Sequence, residues 1–355
     1  MSNLKKFQAS LRELEGALIT SEINQRYLSD FSFSDGYIFV TREVAYLITD
    51  SRYIEAAKTA VTELQVILPE SRAAETLKKL VSDSGIRQLA VEESELSISD
   101  YNKFIELFAD CELVPHASEL LISQRQVKTD NELDRIAKAQ AITDAAFEHI
   151  LGFINPDRTE LEVALELEFF MRSHGAEGVA FETIAVSGCA SSLPHGVPSD
   201  VKLRKGFLTM DFGAKFNGYC SDMTRTVVIG KADDDMKRLY NTVLTAQKTA
   251  LEGICDGINC KKADALARDV IREAGYGQYF GHSLGHGVGM FIHETPSLSP
   301  KASENAALRR GNVVTVEPGI YIEGKYGCRI EDMIAISSDG SVRNFTKSPK
   351  ELIEI

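Results

Sequence analysis

The dipeptide Asn217-Gly218 constrains this chain more than any other short stretch of it. Asn-Gly between runs of strand-forming residues is a strong signal for a two-residue hairpin, because both central positions of the turn need positive φ. The flanking string reads "TMDFGAKFNGYCSDMTRT". With the turn centred there, residue i faces residue 435−i, so Asp211 lies opposite Thr224. Asp222 is two positions from Thr224, hence on the same face and diagonal to Asp211. Diagonal neighbours sit about 7–8 Å apart. Two carboxylates so placed can clasp a pair of ions about 3.5–4 Å apart.

Three further strings extend the pattern: "GHSLGHGVG", "VTVEPGIY" and "GCRIEDM". They bring His286, Glu317 and Glu331. A turn-rich stretch, Glu323 to Gly327, separates the two glutamates, and a hairpin centred on Gly324 sets them opposite each other. Pro318 works against that register, since proline donates nothing to a ladder. One such acid alone is a solvated strand residue. Four carboxylates turned toward one partly buried place repel, and some would have to stay protonated. A bound dication removes that conflict. Oxygen ligands with one imidazole suit two hard or borderline ions, manganese, cobalt or zinc. Such a pair activates water, which is the chemistry of a hydrolase.

His282 and His286 have the i, i+4 spacing of a helical zinc site. Gly281, Gly285, Gly287 and Gly289 surround them, and each interior glycine costs a helix about 1 kcal/mol relative to alanine. An irregular loop or a strand is the better reading. His116, His149 and His174 have no motif around them and read as structural or surface residues.

Length and composition bound the rest. A chain of 355 residues divides into two domains, each large enough for its own core. With 44% hydrophobic and 26% charged residues it is ordinary globular material. The net charge of −13 disfavours nucleic acid or an anionic membrane as partner. No apolar run of membrane-spanning length and no signal-peptide pattern occurs, so a cytoplasmic protein is expected. Six cysteines show no CxxC pair. Cys255 and Cys260 are read as reduced, packed thiols, and Cys220 and Cys328 as packing behind the site.

Residues 1–124 alternate helix-like and strand-like segments. An amphipathic helix is expected over 3–15, with strands at "GALIT", "GYIFVT", "VAYLIT", "LQVIL" and "QLAVE". Helices are expected near 51–60, 71–83 and 99–109. Asp50 and Arg52 in "TDSRY" read as turn residues. Over 125–355, Thr129/Glu132 and Thr159/Glu162 form capping boxes that open helices running to about Ile154 and Ser173. A strand "FETIAVSG", the hairpin, helices near 233–253 and 261–274, and the C-terminal strands follow. Helices alternating with antiparallel hairpins argue α+β architecture.

At these residues the chain resembles the metallopeptidases of the pita-bread fold, in the branch of Xaa-Pro aminopeptidase (aminopeptidase P) and Xaa-Pro dipeptidase (prolidase). The resemblance is strong over 125–355, where Arg125, Lys128 and Glu132 match the family's opening, and looser over a creatinase-like α/β N-terminal domain. The family's ligand order Asp, Asp, His, Glu, Glu falls on Asp211, Asp222, His286, Glu317 and Glu331. Its further histidines fall on His195 in "LPHGVPS", His282, and His293 in "FIHETP", and Arg329 matches its R-x-E. The resemblance implies two divalent ions per chain, manganese foremost, and a metal-bridging hydroxide that attacks the scissile carbonyl. It implies Glu317 as proton shuttle and His282 and His293 as substrate and oxyanion binders. His195 would act near the leaving nitrogen, and Arg329 would pair with the metal-site acids. The implied substrates are short peptides with proline second, and the implied assembly is a homodimer or higher oligomer.

Three rivals bear on this. A methionine aminopeptidase shares the ligands without the N-terminal domain or "LPHG". A creatinase-type homologue shares both domains without the ligands. A prolidase needs a cation for the carboxylate of a dipeptide, for which Arg309 and Arg310 are candidates. The expected activity is aminopeptidase, with prolidase the alternative.

Overall fold

A central strand, β1 (Glu15–Ile19), decides how the first segment of the chain folds. The computed structural model describes all 355 residues, which form two compact units, Met1–Arg125 and Gln126–Ile355. In the first unit, β1 lies in a six-stranded sheet of order β4-β3-β2-β1-β5-β6. Its partners are β2 (Tyr37–Thr41), β3 (Ala45–Ile48), β4 (Gln65–Ile67), β5 (Gln88–Val91) and β6 (Glu112–Pro115). β1 pairs antiparallel with β2 and parallel with β5. That demand shortens the expected helix over 3–15: α1 spans Asn3–Ser10 only. Leu14 turns the chain in the left-handed region at φ 56°. The Glu15 carboxylate takes the Arg12 N–H at 2.8 Å. Sheet pairing thus overrides the helical pattern.

Five helices complete this unit: α2 (Glu22–Ser29), α3 (Ile54–Ala60), α4 (Ala73–Asp83), α5 (Ile98–Leu107) and α6 (Ala117–Gln126), whose last residue begins the second unit. Leu18, Phe39, Leu77, Leu89, Val91 and Phe104 form the core. Glu92, fully buried, closes the start of α2. Its carboxylate accepts from the Thr20 and Ser21 N–H groups, both their hydroxyls, and the Asn24 amide. An anion at a helix N-terminus is the favourable arrangement for a buried acid. Asp50 accepts from the Arg52 N–H at 2.8 Å and from its guanidinium, as a turn residue does.

The second unit repeats one arrangement twice, a helix pair laid on antiparallel strands. In the first half, α7 (Asp130–Phe153) and α8 (Glu160–Ser173) start at the two expected capping boxes. They pack Phe147, Ile150, Leu167 and Met171 against Met210, Phe212 and Val227. The strands are β7 (Gly178–Val179), β8 (Ile184–Ser187), β9 (Gly206–Phe212), β10 (Ala214–Phe216), β11 (Tyr219–Cys220) and β12 (Met223–Ile229). β8, shorter than the run read as "FETIAVSG", β9 and β12 form one sheet. In the second half, α9 (Asp234–Gly253) and α10 (Cys260–Glu273) pack Leu239, Val243, Ala267 and Ile271 against Val314, Val316 and Ile334. Here β13 (Gly285–Gly287), β14 (Glu294–Leu298), β15 (Val313–Val316), β18 (Asp332–Ile336) and β19 (Val342–Asn344) make a sheet of order β14-β13-β15-β18-β19. β16 (Gly319–Ile322) and β17 (Tyr326–Arg329) form a separate ribbon. This is the α+β order expected from the sequence.

All six cysteines are free. Cys220, Cys260 and Cys328 are buried, whereas Cys189 and Cys255 are exposed, so Cys255 is not the packed thiol expected. No helix is long and apolar enough to cross a membrane.

Candidate active site

The Asn217-Gly218 turn places the first two acids. Both residues have positive φ, 45° and 86°. The β9–β12 ladder runs in the expected register, with Thr224 opposite Asp211. Gly213 faces Ser221 so closely that an added Cβ would stand 1.9 Å from its carbonyl oxygen. Only glycine lets the strands close there beside Asp222.

The second pair of acids stands where two ladders meet. β15 pairs with β18 up to Val316 opposite Asp332, and β16 pairs with β17 from Gly319 opposite Arg329. Both ladders keep one register, centred on Gly324, and Glu317 and Glu331 lie in the gap between them. Pro318 opens that gap by lacking an N–H. The freed backbone groups turn elsewhere: the Glu317 N–H donates to Leu284 O at 2.8 Å and the Glu331 N–H to Thr224 O at 3.1 Å.

His286 sits on strand β13, and His282 in the irregular segment before it. A Cβ on Gly285 would lie 2.0 Å from Thr315 O, so this strand approaches β15 only as glycine. Thr315 ties the two strands: its hydroxyl accepts from the His286 N–H at 3.0 Å and donates to Glu317 Oε1 at 3.0 Å.

Around a cavity of about 490 Å³ these segments bring together His195, Asp211, Asp222, His282, His286, His293, Glu317, Arg329 and Glu331. Every ligand and catalytic residue named from the sequence lines it, whereas Arg309 and Arg310, the candidate carboxylate binders, do not. Asp222, His286 and Glu331 hold one ligand atom each within 4.8 Å of one another. His286 donates Nδ1–H to Gly287 O at 3.0 Å, which leaves the Nε2 lone pair facing inward. That lone pair meets Asp222 Oδ2 at 3.5 Å and Glu317 Oε1 at 3.4 Å. Asp211 offers Oδ2 to Arg329 at 2.6 Å, while its Oδ1 is buried without a hydrogen-bond partner.

Electrostatics state the same need. Burial, then the neighbouring Glu331, Asp211 and Glu317, raise the Asp222 pKa well above the usual carboxylate range. Burial likewise raises Glu331, with Glu317 and Asp211 adding to it. Glu317 is pushed up to about 8, chiefly by burial, against the opposing pull of Arg329. Burial lowers His286 and so keeps its imidazole neutral. Carboxylates whose charge is so strongly disfavoured, converging with an imidazole lone pair, fit divalent cations, and the O-rich set with one imidazole suits hard or borderline ions.

Arg329 uses four of its five N–H donors. It donates to Thr224 Oγ1 at 2.8 Å, Pro194 O at 3.2 Å, Tyr321 Oη at 2.7 Å and Asp211. Tyr321 in turn lies 3.1 Å from His282 Nε2. The His282 Nδ1–H is given to Ser283 O at 2.8 Å, so Tyr321 donates to Nε2. Burial, reinforced by Arg329, lowers the His282 pKa to about 4. The His293 ring stands edge-on to His286 at 4.4 Å, and burial lowers its pKa too. His149 pairs with Glu166 at 2.6 Å, His174 bonds to Phe170 O, and His116 lies by Glu15, all three apart from the cavity.

Sequence reading missed four contributors. Tyr321 and Thr315 stand inside the quoted "VTVEPGIY", and Thr224 and Arg225 inside the hairpin string. Thr224 donates to Glu331 Oε2 at 2.6 Å. Arg225, fully buried, donates to Glu331 O, Thr224 O and Asp332. A charged residue among buried strand positions was the available signal.

Comparison with known proteins gives the family and the fold. Metallopeptidase family M24 matches residues 134–338, and the creatinase/prolidase N-terminal domain matches residues 4–127. The chain is 46% identical over 341 residues to the uncharacterized peptidase YqhT of Bacillus subtilis, covering 96% of each. It is similar to the solved structure of an Xaa-Pro dipeptidase from Bacillus anthracis, at TM-score 0.94 and 43% identity over 99% of each chain. It is also similar to an X-Pro aminopeptidase from Thermotoga maritima, at TM-score 0.92 and 37% identity, covering 98% of this chain and 99% of that one.

Proposed function

The chain belongs to metallopeptidase family M24, and on that premise we propose that it hydrolyses the bond before proline in short peptides with a free N-terminus. One observation supports this most. The inward-facing His286 Nε2 lies 3.5 Å from an Asp222 oxygen and 3.4 Å from a Glu317 oxygen, so three potential ligand atoms converge on one buried place. We assign Asp211, Asp222, His286, Glu317 and Glu331 as ligands of two divalent ions, with manganese the first choice and cobalt or zinc able to replace it. When bound, the ions polarise the scissile carbonyl and lower the pKa of the attacking water.

The chain's own groups do the rest. Glu317, within reach of His286 and His282, takes the proton from the attacking water and passes it toward the leaving nitrogen. His282 and His293 bind the substrate and face the oxygen on which charge develops. His195, which also lines the cavity, attends the leaving side. Arg329 orients Asp211.

Specificity for proline rests on chemistry and on the relatives' names. An Xaa-Pro bond has a tertiary nitrogen with no N–H. Its ring needs an apolar wall, and Phe181, Ile184, Pro194, Val197, Pro198 and Ile292 supply one. A dipeptide also presents a carboxylate that calls for a cation. Arg329 is the one lysine or arginine lining the cavity, and four of its five N–H donors are already taken. Arg309 and Arg310 do not line it, and Arg310 is taken by Asp256 at 2.9 Å. That favours an aminopeptidase. The second reading, a dipeptidase, is favoured by the name of the Bacillus anthracis relative.

The test compares an Xaa-Pro dipeptide, an Xaa-Pro-Xaa tripeptide and an Xaa-Ala control with manganese, cobalt and zinc. Preferred cleavage of the tripeptide is expected. Hydrolysis of the dipeptide alone selects the second reading, and equal cleavage of the alanine control refutes proline specificity.

A further inference from the structure

The segment Phe280–Leu284 carries His282 into the cavity without a strand or helix of its own. Its backbone polar groups must therefore be met by side chains or water. Two residues of α10 meet them. Asp264 and Arg268 are one helical turn apart and share a face. They form a side-on pair, Arg268 Nε to Asp264 Oδ2 at 2.6 Å and Nη2 to Oδ1 at 2.8 Å. Asp264 is buried, and Arg268 is about one-quarter exposed (23%).

The same fork reaches the loop at three alternate residues. Arg268 donates to Phe280 O at 3.0 Å and to His282 O at 2.7 Å. Asp264 Oδ1 accepts the Leu284 N–H at 2.9 Å. The guanidinium also covers the Phe280 ring, 4.2 Å from its centre. On the far side, the His282 imidazole hydrogen-bonds to Tyr321 and to its own loop, with Glu317 3.9 Å away. The backbone position of His282 is thus set by the α10 pair, and its ring angle by Tyr321.

We propose that Asp264 and Arg268 are positioning residues that hold His282 at its working distance from Glu317 and Tyr321. This rests on the reading of His282 as a substrate-binding group. Neither residue lines the cavity, so neither touches substrate. A small misplacement of a positioned group can cost up to about 10²-fold in rate.

The experiment is a double-mutant cycle on the metal-loaded, full-length protein. Arg268→Met is expected to lower kcat about tenfold or more, with KM and metal content near parental values, and Arg268→Lys to fall between. In a His282→Ala background, Arg268→Met should change kcat less than twofold further. A second readout needs no substrate: amide hydrogen exchange over residues 281–285 should quicken at least tenfold in Arg268→Met, while α9 stays protected. Equal losses of kcat in both backgrounds, loss of metal in step with activity, or unchanged exchange would overturn the proposal. If the parent protein cleaves no Xaa-Pro peptide, the proposed function fails on that count, and the exchange comparison still decides the role of the pair.

Discussion

Both units bury acids, and they treat them in opposite ways. In the N-terminal unit, Glu92 is fully buried and five donors converge on its two oxygens. Its charge is spent on closing a helix. In the C-terminal unit, Asp222, Glu317 and Glu331 face one another and a neutral imidazole, and Asp211 keeps one oxygen without a partner. Burial of a charge is costly unless it is paired. The first arrangement offsets that cost within the fold. The second leaves it standing, for something outside the chain to offset. Unspent acceptors, more than buried acids as such, distinguish a site from a scaffold.

The same chemical change should therefore have opposite signs in the two places. Glu331→Gln and Asp222→Asn should each lower activity by about 10³-fold or more, since a neutral amide is a poor ligand for a hard cation. Elemental analysis should show fewer than two ions per chain. The metal-free form of either variant should melt at or above the metal-free parent, because a buried repulsion is gone. A metal-free variant that melts well below the parent would refute the contrast.

Replacing the histidines tests the catalytic side of the comparison. His195→Ala, His282→Ala and His293→Ala should each lower kcat by about 10²-fold while both ions stay bound. Loss of metal from any of them would make that histidine a ligand.

Chelation should expose the unspent charge as a pH dependence. An acid whose pKa is raised by folding binds more protons folded than unfolded between the two values, so stability falls as pH rises through that window. With Glu317 at about 8 against an ordinary 4.5, the chelated protein should lose several degrees of melting temperature between pH 5 and 8. The metal-loaded protein should not show this loss. Parallel curves for the two forms would break the argument.

The scaffold should answer differently. Glu92→Gln should cost about 2 kcal/mol of stability, the scale for unsatisfied buried partners of a charged group. Activity per folded molecule should stay at the parental level. His149→Ala, at a half-exposed pair with Glu166, should change neither activity nor metal content measurably.

What could be read from the sequence follows the range of the forces involved. The Asn217-Gly218 turn sets its register locally, so the opposition of Asp211 and Thr224 is legible in the sequence. The capping boxes at Thr129 and Thr159 are local too, and both helices start there. Pro318 signalled a disturbed ladder, and the structure turns that disturbance into the gap that frees both glutamates. The expected helix over 3–15 failed because pairing with β2 and β5, far along the chain, claims Glu15. Tyr321 and Arg225 went unseen for the same reason. Arg225 reaches Glu331 O and Ser348 O, more than a hundred positions away, and no spacing rule reaches that far.

The gap at Pro318 also has a meaning in the order of synthesis. The carboxylates and imidazole proposed to share the ions leave the ribosome one after another, from residue 211 to residue 331. Glu331 comes last, one residue before β18, the strand between β15 and β19 in its sheet. A chain stopped before that point lacks both the last ligand and the strand that joins the sheet. Contacts so distant in sequence form late. Binding of the full set of ions would thus require the chain through Glu331 and β18.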